Sequence, residues 1–183
     1  MLICECLASI DLAAQNLSGL RFIGWSEICA RRTKSEPNSE LSQRIALGNT
    51  GVIPDGVFGL EYARGAGTAY RFFALEVDRG TMPVTRSDPR QTSVMGKLGA
   101  YQAIADGQLH RQAWGIPNLL VLVITTSEER MREIIRQASL RHYGPHMLFK
   151  TLDERKTQSP IPELLTLVWE RVAAPSLSIA ESE

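Results

Sequence analysis

Apolar positions near the start of the chain recur at three-four spacing. Ile3, Cys6, Leu7, Ile10, Ala13, Ala14 and Leu17 form one stripe, which predicts an amphipathic helix over Leu2 to Leu17. Asn16-Leu17-Ser18-Gly19 supplies the stop, and the alternation in Leu20-Arg21-Phe22-Ile23-Gly24-Trp25 predicts a short strand. From Arg31 to Asn49 the apolar rhythm disappears. That stretch holds Pro37 with several Ser and Asn residues, and it reads as a mobile loop.

Apolar character resumes at Val52-Ile53-Pro54-Asp55-Gly56-Val57-Phe58-Gly59-Leu60, where Pro54 suits a strand start or edge. Arg64-Gly65-Ala66-Gly67 reads as a hairpin turn. In the strand from Ala69 to Val77, Tyr70, Phe72, Ala74 and Glu76 share one face, and Arg71, Phe73, Leu75 and Val77 the other. A polar loop with Pro83 and Pro89 leads to a helix whose stripe is Val94, Leu98, Tyr101 and Ala105. Leu119 to Ile124 is an unbroken β-prone apolar run, the mark of a strand covered on both faces. Ser127 is placed to cap a helix that buries Met131, Ile134, Ile135 and Ala138. Met147-Leu148-Phe149 reads as a last short strand and Leu164 to Trp169 as a stretch that packs back. The order of elements predicts an α/β fold with a mixed central sheet and flanking helices. One domain over residues 1–172 and a disordered tail over 173–183 are expected.

Composition changes this picture little. The 183 residues are 44% hydrophobic and 22% charged, which suits a chain that buries an ordinary core. Cys4, Cys6 and Cys29 form an odd set without CxxC spacing, so no disulfide framework or zinc site is read and a reducing cytosol fits. No signal-like start or membrane-length apolar run is present, giving the expectation of a soluble cytoplasmic protein with no membrane partner. Twenty basic and twenty acidic residues cancel, which argues mildly against a nucleic-acid partner. Phosphate contacts nevertheless depend on local charge, so a basic face remains compatible with DNA.

The candidate chemistry lies on the central hairpin. Asp55 begins one strand, while Glu76 and Asp78 end the next and, two residues apart, point to one face. Converging carboxylates of this kind make an oxygen-ligand site for Mg2+ or Mn2+, which orients water and stabilises charge on a phosphate. The same spacing also suits solvated strand-end acids paired with Arg79 or Arg71. Lys97 and Tyr101, four apart, share a helix face; an exposed lysine above a core tyrosine is the plainer reading. Arg31, Arg32, Lys34, Arg79, Arg86 and Arg90 fall in the predicted loops and are candidates for phosphate contacts. His110, His142 and His146 have no uniting spacing, and no glycine-rich phosphate loop is present.

Taken in order, Pro54-Asp55, then Glu76-Val77-Asp78-Arg79-Gly80-Thr81, then Lys97-Leu98-Gly99-Ala100-Tyr101, resemble the plasmid replication-relaxation family of the PD-(D/E)XK nuclease-like group, from about Leu2 to about Leu140. The resemblance implies a restriction-endonuclease-like core of helix, three strands, helix and strand, with Asp55, Glu76 and Asp78 at the metal. It resembles the C-terminal domain of such proteins without their winged-helix part. It also implies a place in plasmids or other mobile elements. The general motif has lysine where this chain has Asp78; Lys97 would then substitute from the following helix. Glu5 matches where such folds often add an acid, although a surface role suits it better, and Glu27 is a similar case. Two functions follow: a metal-dependent DNA endonuclease or nickase, or a non-catalytic relative that binds DNA or a protein partner in replication, transfer or regulation of a mobile element, with protein partners from a replication, transfer or defence assembly. Either leaves room for a homodimer.

Overall fold

The run from Leu119 to Ile124 becomes the middle strand of a seven-stranded mixed sheet. In the computed structural model, which describes residues 2–35, 42–65, 67–87, 91–152 and 160–181, the elements run α1 (Leu2–Gln15), β1 (Leu20–Ile23), α2 (Trp25–Ser35), β2 (Ile45–Leu47), β3 (Thr50–Val52), β4 (Gly56–Arg64) and β5 (Gly67–Asp78). They continue as α3 (Val94–Asp106), α4 (Leu109–Trp114), β6 (Leu120–Thr125), α5 (Glu128–Leu140), β7 (Met147–Thr151), α6 (Glu163–Thr166), β8 (Trp169–Arg171) and β9 (Ala174–Leu177). Strand order in the sheet is β1-β4-β5-β6-β7-β8-β9, and β2 pairs with β3 as a separate ribbon. β1, β4 and β5 form an antiparallel meander, whereas β6 lies parallel to β5 and β7 parallel to β6. The parallel joins need crossovers, and α3 with α4, then α5, supply them.

Strand alternation divides the buried side chains into two layers. Phe58, Phe73, Leu75, Leu122, Ile124 and Leu148 face α1 and α6. Val57, Phe72, Ala74, Val121, Val123 and Phe149 face the layer built from α2, α3, α4 and α5. Both faces are covered, which is why β6 reads as continuously apolar instead of alternating.

Three expectations change. The stretch read as loop from Arg31 begins inside a helix, because Trp25–Ser35 forms α2, with Glu27 in its first turn and Arg32 and Lys34 in its last. Its apolar side is narrow; Ile28 is buried and most other positions are polar, so periodicity gave no signal. Residues 36–41 of that stretch, Pro37 included, lie outside the described residues. In α3 the buried positions are Val94, Met95, Leu98, Tyr101 and Ile104, with Ala105 only half-buried. At the other end, residues expected to be loose form β9, which pairs with β8. Pro175 is tolerated there because β9 is an edge strand. Leu177 and Ile179 are buried, and the Tyr62 hydroxyl donates to the Ile179 carbonyl at 2.7 Å.

Candidate functional site

The β4–β5 register sets the site. Gly56 stands opposite Leu75, so Asp55, one residue before β4, reaches the level of Glu76. Its backbone N–H donates to the Leu75 carbonyl at 3.0 Å, and its Oδ2 accepts from the Val77 N–H at 2.8 Å. Asp55 is thereby fixed beside Glu76 by the backbone of β5. Glu76 sits on the face of β5 that carries Phe72 and Ala74, beneath α3. It is only 6% exposed.

Helix α3 supplies both partners of Glu76. Tyr101 donates its hydroxyl to Oε1 and Lys97 forms an ion pair with Oε2. Lys97 and Tyr101 are four residues apart and lie one turn above the other, as their spacing predicts. Burial pushes the Glu76 carboxyl up to about 7; the Lys97 charge and the Tyr101 hydrogen bond oppose this, and the Asp55 charge adds to it. Tyr101 is raised well above the usual phenol range by burial and by the neighbouring Glu76 charge.

The folded chain therefore holds the Glu76 proton more tightly than the unfolded chain does. This contribution to stability is fully present below about 4.5 and is lost as pH rises through about 7. In EDTA, wild type is expected to lose stability relative to Glu76→Gln from about pH 5 to about pH 8, by on the order of 2–3 kcal/mol in urea unfolding. A difference that stays constant across this range would contradict the assignment.

Asp78 shares the face of Glu76 but turns to a different partner. Arg130 of α5 donates Nη2 to Oδ1 at 2.9 Å and Nε to Oδ2, while the buried Thr125 hydroxyl donates to Oδ2 at 3.2 Å. Arg130 also donates to the Met82 carbonyl, so one guanidinium ties the end of β5 to the segment after it. The Asp78 and Arg130 side chains are 9% and 19% exposed. Breaking so desolvated a pair by Arg130→Met is expected to cost about 3 kcal/mol. It should also speed hydrogen exchange in residues 79–87; unchanged exchange there would mean that the segment is held by something else.

That segment also seals the start of α3. The Val94 and Met95 N–H groups donate to the Pro83 and Val84 carbonyls at 3.1 and 3.0 Å, and Gly96 N–H donates to the Ser93 hydroxyl at 3.1 Å. The helix terminus thus spends its first donors internally. Glu76, Asp78, Arg79, Met82 and Lys97 border a recess of about 130 Å³. A larger groove of about 440 Å³, lined by Thr50, Ile53, Gln91 and Ser93, shares Met82 and Lys97 with it. Lys97 stands between the two, 31% exposed.

The structure thus brings together Asp55, Glu76, Lys97 and Tyr101 and directs Asp78 to Arg130. Among the described residues no group of three or more His, Cys, Asp or Glu side chains is arranged to hold a metal ion. Arg79 is exposed at the recess, and Arg86 binds the Thr92 carbonyl at 3.0 Å and the Gln91 side chain. Arg31 and Arg32 lie beside Tyr70 and Phe72, at the opposite end of β5 from Glu76; Lys34 is exposed on the same helix, and Arg90 lies outside the described residues. Glu5 is on α1, across the sheet, and Glu27 pairs with Arg21 and Arg31. Arg130 carries no local signal in the sequence: its link to Asp78 spans 52 positions, with α3, α4 and β6 between them. No helix is long and apolar enough to cross a membrane among the described residues. Compared with protein-family models, curated proteins and solved structures, the chain matches none.

Proposed function

We propose that the chain is a metal-dependent deoxyribonuclease, an endonuclease or nickase of a plasmid or other mobile element. The observation that carries this reading is the meeting of Asp55, Glu76 and Lys97 at the end of β5. The sheet supports it: α1, the antiparallel strands β1, β4 and β5, the crossover helices α3 and α4, and β6 parallel to β5 are compatible with a restriction-endonuclease-like core, with α2 and the β2–β3 ribbon inserted between β1 and β4.

The donors fit a hard divalent cation in part. Mg2+ is commonly held by one or two carboxylates and keeps several waters, so Asp55 and Glu76 would hold it, with Glu76 giving up its Lys97 contact to the ion, while the Asp78 oxygens are engaged by Arg130 and Thr125. When bound, Mg2+ or Mn2+ would lower the pKa of a water and stabilise charge on the phosphate. The chain itself does the rest. Val77 N–H fixes the Asp55 carboxylate, Tyr101 orients Glu76, and Lys97 is positioned to donate from its ammonium to a phosphate oxygen.

Mn2+ binding followed by electron paramagnetic resonance tests the assignment. Wild type should bind Mn2+, and Asp55→Asn should weaken binding at least about tenfold; equal binding by both would remove Asp55 from the site. Lys97→Ala should keep Mn2+ binding and lower DNA cleavage about 10²-fold. A second reading, a non-catalytic module that binds DNA or a protein partner, draws on Glu76 having both oxygens occupied by Tyr101 and Lys97. Under that reading affinity survives EDTA and Asp55→Asn.

A further inference from the structure

A second recess, of about 210 Å³, opens on the helical face beside the first half of β5. Tyr70 is six residues before Glu76, which separates the two sites by about 20 Å along the strand. Its walls combine Ile28, Phe72 and Trp114 with Arg31, Arg32 and Tyr70, and among the described residues no carboxylate lines it. Each polar wall is held in place. The Arg31 guanidinium lies 5.3 Å from the centre of the Tyr70 ring and is anchored by Glu27 at 2.7 Å. Arg32 donates to the Gln112 carbonyl at 2.9 Å and passes tightly over Gly115, where an added β-carbon would lie 2.9 Å from its Cδ. Trp114 packs edge-on against Trp25 and donates its indole N–H to the Ser42 carbonyl at 3.0 Å.

A slot floored by the buried Phe72 and Trp114 and presenting the half-buried Tyr70 ring beside two fixed guanidinium planes matches a flat, π-rich group that carries an anion. Bases stack on aromatic rings and on guanidinium planes, and guanidinium binds phosphate. The volume is small for a drug-sized ligand and suits a single ring system. We infer that this recess between α2, α4 and β5 binds one nucleotide unit, its base against the half-buried Tyr70 ring and its phosphate at Arg32, with Arg31, paired to Glu27 and Glu61, beside it. The unit is either a free mononucleotide or an unstacked base of a single strand. The inference does not rest on the nuclease reading.

Tryptophan fluorescence of the full chain in EDTA tests it, with 5′-adenosine monophosphate in one arm and a short single-stranded deoxythymidine oligomer in the other. Saturable quenching that weakens about tenfold in Tyr70→Leu and in Arg32→Gln, and persists in Glu76→Gln, is the expected result. Quenching by the mononucleotide assigns the site to free nucleotides; quenching by the oligomer alone assigns it to a strand. No quenching by either, or quenching lost in Glu76→Gln and kept in the other two variants, overturns the inference. Hydrogen exchange of wild type with the same ligands gives a readout that needs no variant: protection should appear in α2 and α4, and protection confined to residues 79–97 would contradict the assignment.

Discussion

Glu76→Gln is expected to lower metal-dependent DNA cleavage by about 10³-fold while the chain stays folded. Glutamine keeps the shape of Glu76 and can still meet the Tyr101 hydroxyl, but it removes the charge that pairs with Lys97 and that would hold the proposed cation. Asp55→Asn should fall similarly, because its carboxylate stands beside Glu76 and is held by the Val77 N–H. Asp78→Asn should behave differently: its expected loss is in the tether to Arg130, seen first as lower stability, with a smaller effect on cleavage. Initial rates on supercoiled DNA, with circular dichroism to verify folding, check this ranking. Equal loss of cleavage in all three variants, with folding intact, would return Asp78 to the reacting centre.

The second large effect concerns the layer beneath the hairpin. Phe58 is fully buried, with ring centres 5.3 Å from Phe22 and 4.9 Å from Phe73. This stack joins β1, β4 and β5, the strands that set the Asp55–Glu76 register. Phe58→Ala removes an aromatic ring from a site with no solvent access and is expected to cost about 3–5 kcal/mol. Against a typical total of about 5–15 kcal/mol, that loss is severe and should lower the melting temperature by roughly 10 °C or more. Urea unfolding of the variant measures it. A loss below about 1 kcal/mol would mean that the stack is not a stability centre for this layer.

Much of this arrangement was legible in the sequence because it is local. The stripe of α1, the turn after Arg64, the apolar run of β6 and the Ser127 cap are short-range patterns, and each forms the expected element. The meeting of Asp55 and Glu76 followed from a hairpin, and that of Lys97 and Tyr101 from helical spacing. What was hidden depends on distant partners. Helix α2 is stabilised on its polar side, where Glu27 pairs with Arg21 and Arg31 and Arg31 also reaches Glu61 at 3.5 Å, so its short apolar stripe reads as loop. β9 forms because Leu177 and Ile179 find a core built mostly from residues more than a hundred positions earlier. Two acids on one strand face also cannot reveal that one of them faces an arginine from α5.

The most direct test of the account is a time course of supercoiled plasmid incubated with wild-type protein in Mg2+, beside the same protein in EDTA and beside Glu76→Gln prepared identically. Conversion to nicked or linear DNA by wild type in Mg2+ alone is the predicted result. No conversion by folded wild type in Mg2+ or Mn2+, or equal conversion by Glu76→Gln, would contradict it.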